Sequence, residues 1–459
     1  MAPLTRRAAV ASIVAAGVGF AAFGPRGQRS VASGRLVLDY WEKWTGDEAA
    51  AMQRVVDRFN DSQSLIQVRY FITAGIDQKA LIAIAGGDPP DIVGLYNYNI
   101  PLYAETGAIL PLDELGSPET TGLARYAQGV RPILTHPDGT GRVRQFACPN
   151  TGGTLALYYN AAAFKDAGLD PARPPRTMSE LDRAAAALDR REATGEYRRL
   201  GFTPTEPGWW PWAWGPYFGG SLTDAAARHA LIDSPEHVAA FSWLRETATR
   251  LDPTRVARFG AGWGGSYDSP LNAFIRGEVA MILQGPWLAN VINRVNPSLD
   301  YAVAPFPVAD GLPSIADAGP VGLVEADTIC IPRGSKHPEA AMEFIAFTQR
   351  QENVEYLSTK HFKSTVLDRS SDEFVSKHPN RGVAVHNAIA QSPRGFIASR
   401  TRQFPQIRAE MGSLMPAVWN TRERVGALLA KAQGNVQQLL DLEAAQKARR
   451  RGRGTQGSS

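Results

Sequence analysis

The sequence predicts an α/β protein built as two domains, and three observations carry that reading. Strand-like apolar runs alternate with helical periodicity through the first hundred residues, the pattern of a parallel sheet flanked by helices. The alternation restarts near Leu155. The chain has 459 residues, more than one hydrophobic core usually fills.

Residues 35–40 (RLVLDY) read as a buried strand. Thr45, with Glu48 three positions on, reads as a capping box that opens a helix. Met52, Val55, Val56 and Phe59 follow at helical spacing and give that helix one apolar face. Residues 66–71 form the next strand, a helix then stops at Gly86-Gly87, and residues 91–95 form a third strand. In the second region, 155–159 is a strand and Asn160 opens a helix to Ala167. Ser179 with Asp182 starts a helix through Leu188, and further helices cover 235–251 and 271–276.

In such sheets a ligand sits beyond the carboxyl ends of the strands. Trp41, Glu42, Lys43, Trp44 and Thr45 follow the first strand, and Tyr96, Asn97, Tyr98 and Asn99 follow the third. The stretch 206–220 (EPGWWPWAWGPYFGG) adds Glu206, Trp209, Trp210, Trp212 and Trp214 in a segment that Pro and Gly keep from forming a long helix. So many rings do not all turn into one core from one short segment, so some face a cleft. Flat apolar rings with an N–H edge suit a ligand that is half apolar and half hydroxyl, which makes carbohydrate the leading candidate. Trp209, Trp210 and Trp287 are expected to stack on it, while Glu42, Asn97, Glu206 and Gln284 meet its hydroxyls. Trp243, at core spacing beside Phe241 and Leu244, reads as structural.

The ends of the chain read differently. Arg6-Arg7 precede an apolar, small-residue run over 8–23 and a Gly24-Pro25 break, so residues 1–32 read as a signal peptide of possible twin-arginine type, with general secretion left open. No Cys follows that run to take a lipid, which points to a soluble periplasmic protein. Residues 447–459 (KARRRGRGTQGSS) read as a disordered basic tail. The formal charge of +4 is misleading, because nine cations lie in these two ends and leave the rest of the chain five charges negative. Nucleic acid is therefore not expected as a partner. Cys148 and Cys330 either pair or stay as two buried thiols. Two Cys and seven scattered His supply no metal-ligand spacing, so neither metal nor cofactor is expected.

Several segments in order carry a resemblance: WEKWTG, GGDPPDIV, YAETGAILPLDEL, FACPNTGGTLALYYN, FIRGEVAMILQGPWL, GPVGLVEADTICIPRGSKHPEAAMEFIAF, FKSTVL and VGALLAKAQGNVQQLLD. Together they resemble the solute-binding proteins of ABC sugar importers, the type-1 extracellular group that includes maltose-binding protein, over about 35–446. The resemblance implies the two-lobe periplasmic-binding-protein fold of type II, with a mostly parallel sheet in each lobe and three hinge crossings. One lobe would span 35–148 plus 321–365 and the other 151–318 plus 366–446. It implies a saccharide ligand, membrane permease subunits as partners, a monomer, and no catalysis. Its contact positions fall on Trp41–Thr45, Tyr96–Tyr98, Thr151–Gly153, Glu206-Pro207 with the rings after it, and Trp287. Gly153 stands where maltose-binding protein has a carboxylate, and the region after Arg402 lacks that protein's aromatic, so maltodextrin specificity does not carry over. The alternatives are an exported carbohydrate-active enzyme, which needs two carboxylates about the scissile bond, or a binding protein for a polyol phosphate or polyamine.

Overall fold

A computed structural model describes residues 34–138, 140–205 and 210–456. The signal-peptide reading, Glu206 and Trp209 lie outside the described residues. The chain starts with β1 (Leu36–Glu42), the helix Gly46–Ser62, β2 (Ile66–Ile72), the helix Ile76–Ala85 and β3 (Ile92–Tyr96). A short hairpin of β4 (Thr135–Pro137) and β5 (Val143–Gln145) precedes β6 (Cys148–Thr154), which leads directly into β7 (Ala156–Asn160). Then come β8 (Arg190–Arg191), β9 (Tyr197–Phe202), β10 (Val279–Gln284), β11 (Tyr301–Ala304), β12 (Gly322–Cys330) and β13 (Gly395–Phe396). Two long helices, Phe404–Asn420 and Val425–Gln456, close the fold.

Apart from the β4–β5 hairpin, the strands form two sheets. The first has the order β13-β12-β3-β1-β2, with β6 added on β12. β1 pairs in parallel with β2 and β3, whereas β12 runs antiparallel to β3 and β6. The second sheet has the order β11-β7-β10-β9-β8, in which only β9 and β10 pair in parallel. β6 and β7 are consecutive yet belong to different sheets, so the chain crosses between the lobes at Thr154–Ala156. β12 lies beside β6, and Ser364 bridges to Gly152, so three segments meet at one crossing.

Side-chain period explains the layers. Leu38, Tyr40 and Glu42 are the buried positions of β1, and the first two pack against Met52, Val55, Val56 and Phe59, the apolar face read from the sequence. Trp41 points to the opposite side, against the cluster that holds Val93, Leu95 and Tyr103. The second lobe has its own core, which includes Tyr158, Phe202, Trp214, Trp243 and Phe306. Trp243 donates its indole N–H to Asp182 at 2.9 Å, which supports its structural reading.

Several local expectations need correction. Thr45 is the N-cap residue, but its side chain makes no capping bond, and the Glu48 carboxylate goes to Lys363 instead of back to the helix start. The helix expected at Ser179 begins at Met178 with Thr177 as its cap, because Ser179 is held by Asp310. Residues 271–276 form turns, not a helix, since the Asn272 side chain accepts from the Phe274 and Ile275 N–H groups. The tail differs as well. The helix Val425–Gln456 takes in residues 447–456 of the segment read as disordered, in keeping with its Ala, Gln, Lys and Arg content, and Lys447 reaches Glu105 at 2.9 Å and Glu443 at 2.6 Å. Cys148 and Cys330 are both buried free thiols. Cys148 lies opposite Ile329, so the next residue, Cys330, points to the other face of the sheet and the two cannot bond.

Candidate functional site

A cavity of about 360 Å³ lies between the lobes, at the carboxyl ends of β1 and β3. Of the residues expected to touch ligand, Trp44, Thr45, Tyr96, Asn97, Tyr98, Gly153, Trp210, Trp212 and Trp287 line it. Tyr96 and Tyr98 stack at 5.5 Å with their planes 5° apart, and Tyr98 meets Phe404 of the second lobe at 6.1 Å. On the other side, Trp210 stacks on Trp287 at 6.1 Å, and Tyr267 meets Trp287 at the same distance. Trp212 lies edge-on to Phe404, whereas Trp214 is in the second lobe's core. Phe404 corrects the expectation that an aromatic is lacking after Arg402, since this ring is part of the cavity wall.

Gly153 explains the position of Trp287. A Cβ at Gly153 would come within 2.9 Å of the Trp287 ring, so glycine lets the indole lie against the crossing strand. Gln284 fixes the ring by accepting its N–H at 2.8 Å.

Four expected contact residues do not line the cavity and act behind it. Trp41 packs on the far side of the first sheet. Glu42 is fully buried, accepts from the Tyr40 hydroxyl at 2.6 Å and pairs with Lys43 at 3.0 Å. It occupies the space that a side chain at Gly94 would take, because a Cβ there would meet its carboxylate at 2.0 Å. Thr151 donates to Asp327 at 2.9 Å, and Gln284 serves Trp287.

The charged floor was largely missed from the sequence. Asp327 sits between two lysines, with Lys43 at 3.1 Å and Lys363 at 2.9 Å, and Lys363 also reaches Glu48 at 3.1 Å. Burial pushes the Asp327 carboxyl up, but Lys363 and then Lys43 overturn this and hold it well below the usual carboxylate range. Burial alone would lower both lysines. Asp327 and the outer carboxylates raise them instead, so Asp327 and both lysines stay charged. Both ammonium groups also approach the Trp44 ring, at 5.1 and 5.7 Å. The Trp44 ring lines the cavity, and its buried indole N–H has no acceptor among the described residues.

Glu325, two residues before Asp327, also lines the cavity and makes no hydrogen bond or ion pair with a described residue. Burial first, and then the charge of Asp327, pushes its carboxyl up to about 7, against the pull of Arg408 and Lys363. An acid raised in the fold loses stability as pH climbs from its unfolded value of 4.5 to about 7. Glu325→Gln is therefore expected to stabilise the unliganded protein at pH 8 by about 1–2 kcal/mol, allowing for partial exposure, and to change little at pH 4.5. Thermal denaturation at the two pH values checks this; equal shifts at both would refute it. Arg408 lies over the Tyr98 ring at 5.3 Å, with no carboxylate in ion-pair range among the described residues.

Two carboxylates at alternate positions of an otherwise apolar strand (GLVEADTIC) are the signal that marks Glu325 and Asp327 as facing one polar space. Lys363 and Arg408 carry no such local mark. Among the described residues, no group of His, Cys, Asp and Glu is arranged to hold a metal ion, and no helix is long and apolar enough to cross a membrane.

Two lobes, three crossing segments and a cavity between them define a solute-binding protein. The chain belongs to the bacterial extracellular solute-binding protein family, which matches residues 43–355, and its relatives are binding components of ABC importers rather than enzymes. The sn-glycerol-3-phosphate-binding periplasmic protein UgpB of Pectobacterium atrosepticum is 23% identical over 405 residues, covering 84% of this chain and 87% of that one. UgpB of Brucella abortus is 26% identical over 300 residues, covering 61% and 64%. In fold, the chain is similar to CpMnBP1 with mannotriose bound (TM-score 0.74, 24% identity, covering 88% and 100%). It is also similar to UgpB from Mycobacterium tuberculosis in complex with glycerophosphocholine (TM-score 0.70, 22% identity, covering 89% and 99%).

Proposed function

We propose that this chain captures a sugar or short oligosaccharide between its lobes and delivers it to the permease of an ABC importer. The observation that carries the reading is the cavity itself. Its volume, about 360 Å³, is at the lower end of small-ligand sites, and it has indole faces on one side and fixed donors and acceptors on the other. The C–H faces of a pyranose lie on Trp210 and Trp287, while Asn97 and Glu325 meet its hydroxyls. A ligand that touches both walls binds only the closed arrangement, so it shifts the hinge equilibrium toward closure. The lobes of this reading are 35–154 with 321–365 and 156–318 with 366–446, the first boundary lying after β6 and not at 149–151. The protein works as a monomer in the periplasm after loss of residues 1–32, without a lipid anchor and without catalysis.

Arg408 favours a second reading, a phosphorylated polyol. A guanidinium free of carboxylate partners suits a phosphate, and the relatives named for sn-glycerol 3-phosphate agree with it. A thermal-shift panel of mono- and disaccharides together with sn-glycerol 3-phosphate tests both readings. The expected result is a rise in Tm with at least one saccharide. A rise with the phosphate alone moves the assignment to the second reading, and no rise with any saccharide rejects the first.

A further inference from the structure

We propose that Glu325 sets the specificity of this cleft and selects solutes that carry a protonated amine beside hydroxyl groups, the chemistry of an amino sugar. This rests on the saccharide reading above. Glu325 lies opposite Gly153 in the antiparallel pair of β6 and β12, and side chains at opposed positions leave the sheet on the same face. A Cβ at Gly153 would point at the Trp287 ring, so the Glu325 carboxylate rises at the foot of the Trp287–Trp210 stack.

The charges around it leave that carboxylate unmatched. Lys43 is taken by Glu42 and Asp327, and Lys363 by Asp327 and Glu48. Arg408 lies over Tyr98 and makes no ion pair with Glu325. Four carboxylates therefore face three cations in and under the floor, an excess of one negative charge, and Glu325 is the acid of the four that makes no ion pair with a described residue. A hydroxyl offers this carboxylate a single hydrogen bond. An ammonium completes an ion pair, and it rests against electron-rich indole faces as well. The group that best offsets the cost of holding Glu325 among rings is thus a cation on the ligand.

The test is calorimetric titration with two probes of one shape: the β-1,4-linked disaccharide of glucosamine, and cellobiose. The wild-type protein is expected to bind the amino disaccharide at least 10-fold more tightly at pH 7. Glu325→Gln is expected to erase that preference, because it costs the amino disaccharide far more affinity than it costs cellobiose. In the wild-type protein the preference is also expected to fall several-fold at pH 5.5, where the Glu325 carboxyl takes up a proton. Around it, Asp327 and Lys363 hold each other charged across that range, Lys43 and Glu48 are paired to the same chain, and a guanidinium does not titrate there. The pH arm needs no variant, so it decides the matter even if the substitution harms folding. Equal binding of the two probes, or tighter binding of cellobiose, overturns the role of Glu325 and leaves the saccharide reading standing. Binding of neither probe, with no saccharide active in the panel, overturns both.

Discussion

Asp327→Asn is expected to destabilise the protein by about 3 kcal/mol, the cost of removing the shared partner of two buried cations. Asp327 is the middle of a chain that runs Glu42, Lys43, Asp327, Lys363, Glu48, and both lysine side chains are less than a tenth exposed. A neutral amide keeps the shape but leaves two ammonium groups with one carboxylate each, and Thr151 loses a charged acceptor. The contrast is Asp39→Asn, which loosens the Arg69–Asp39 pair, whose side chains are 28% and 34% exposed. That pair is screened by water, and its loss is expected to cost about 1 kcal/mol or less. Chemical denaturation of the two variants in parallel checks the difference. A similar, small loss in both would mean that the floor network is not held as a charged unit.

Trp287→Ala is expected to weaken ligand binding by about 30-fold or more, a loss of at least about 2 kcal/mol in the range of a central aromatic contact. The ring is held on several sides: Trp210 stacks on it, Tyr267 meets it edge-on, Gln284 accepts its N–H, and the bare backbone of Gly153 lies beneath it. A side chain fixed so firmly loses little freedom when ligand arrives, so most of its contact energy appears as affinity. It belongs to the wall and not to the central core, so the fold is expected to tolerate its loss. Calorimetric titration with whichever solute the panel selects reads the effect. Unchanged affinity in a folded variant would remove Trp287 from the site.

Much of this arrangement is legible in the sequence where the causes are local. The strand and helix periods of the first hundred residues give the first sheet, and strand ends place Trp44, Tyr96 and Tyr98 at the cleft. The ring-rich stretch gives Trp210 and Trp212, although the structure draws Trp214 into the core because it packs against Trp243 at 5.5 Å. What stays hidden depends on partners far apart in the chain. Glu48 looks like a helix cap until Lys363 is placed beside it. Glu42 looks like a ligand contact until Lys43 and Tyr40 are seen to claim both of its oxygens. Phe404 and Arg408 sit on a helix whose face toward the cleft no local pattern announces.

The central claim is that one solute is clamped between the two lobes, against the Trp210–Trp287 stack on one side and the Lys43–Asp327–Lys363 floor on the other. A crystal structure of the protein with the solute selected by the panel tests this most directly. The account expects ring or chain density lying on Trp287, with polar contacts to residues of both lobes. Density that touches a single lobe, or that lies outside the cavity while the indoles pack on one another undisturbed, would contradict it.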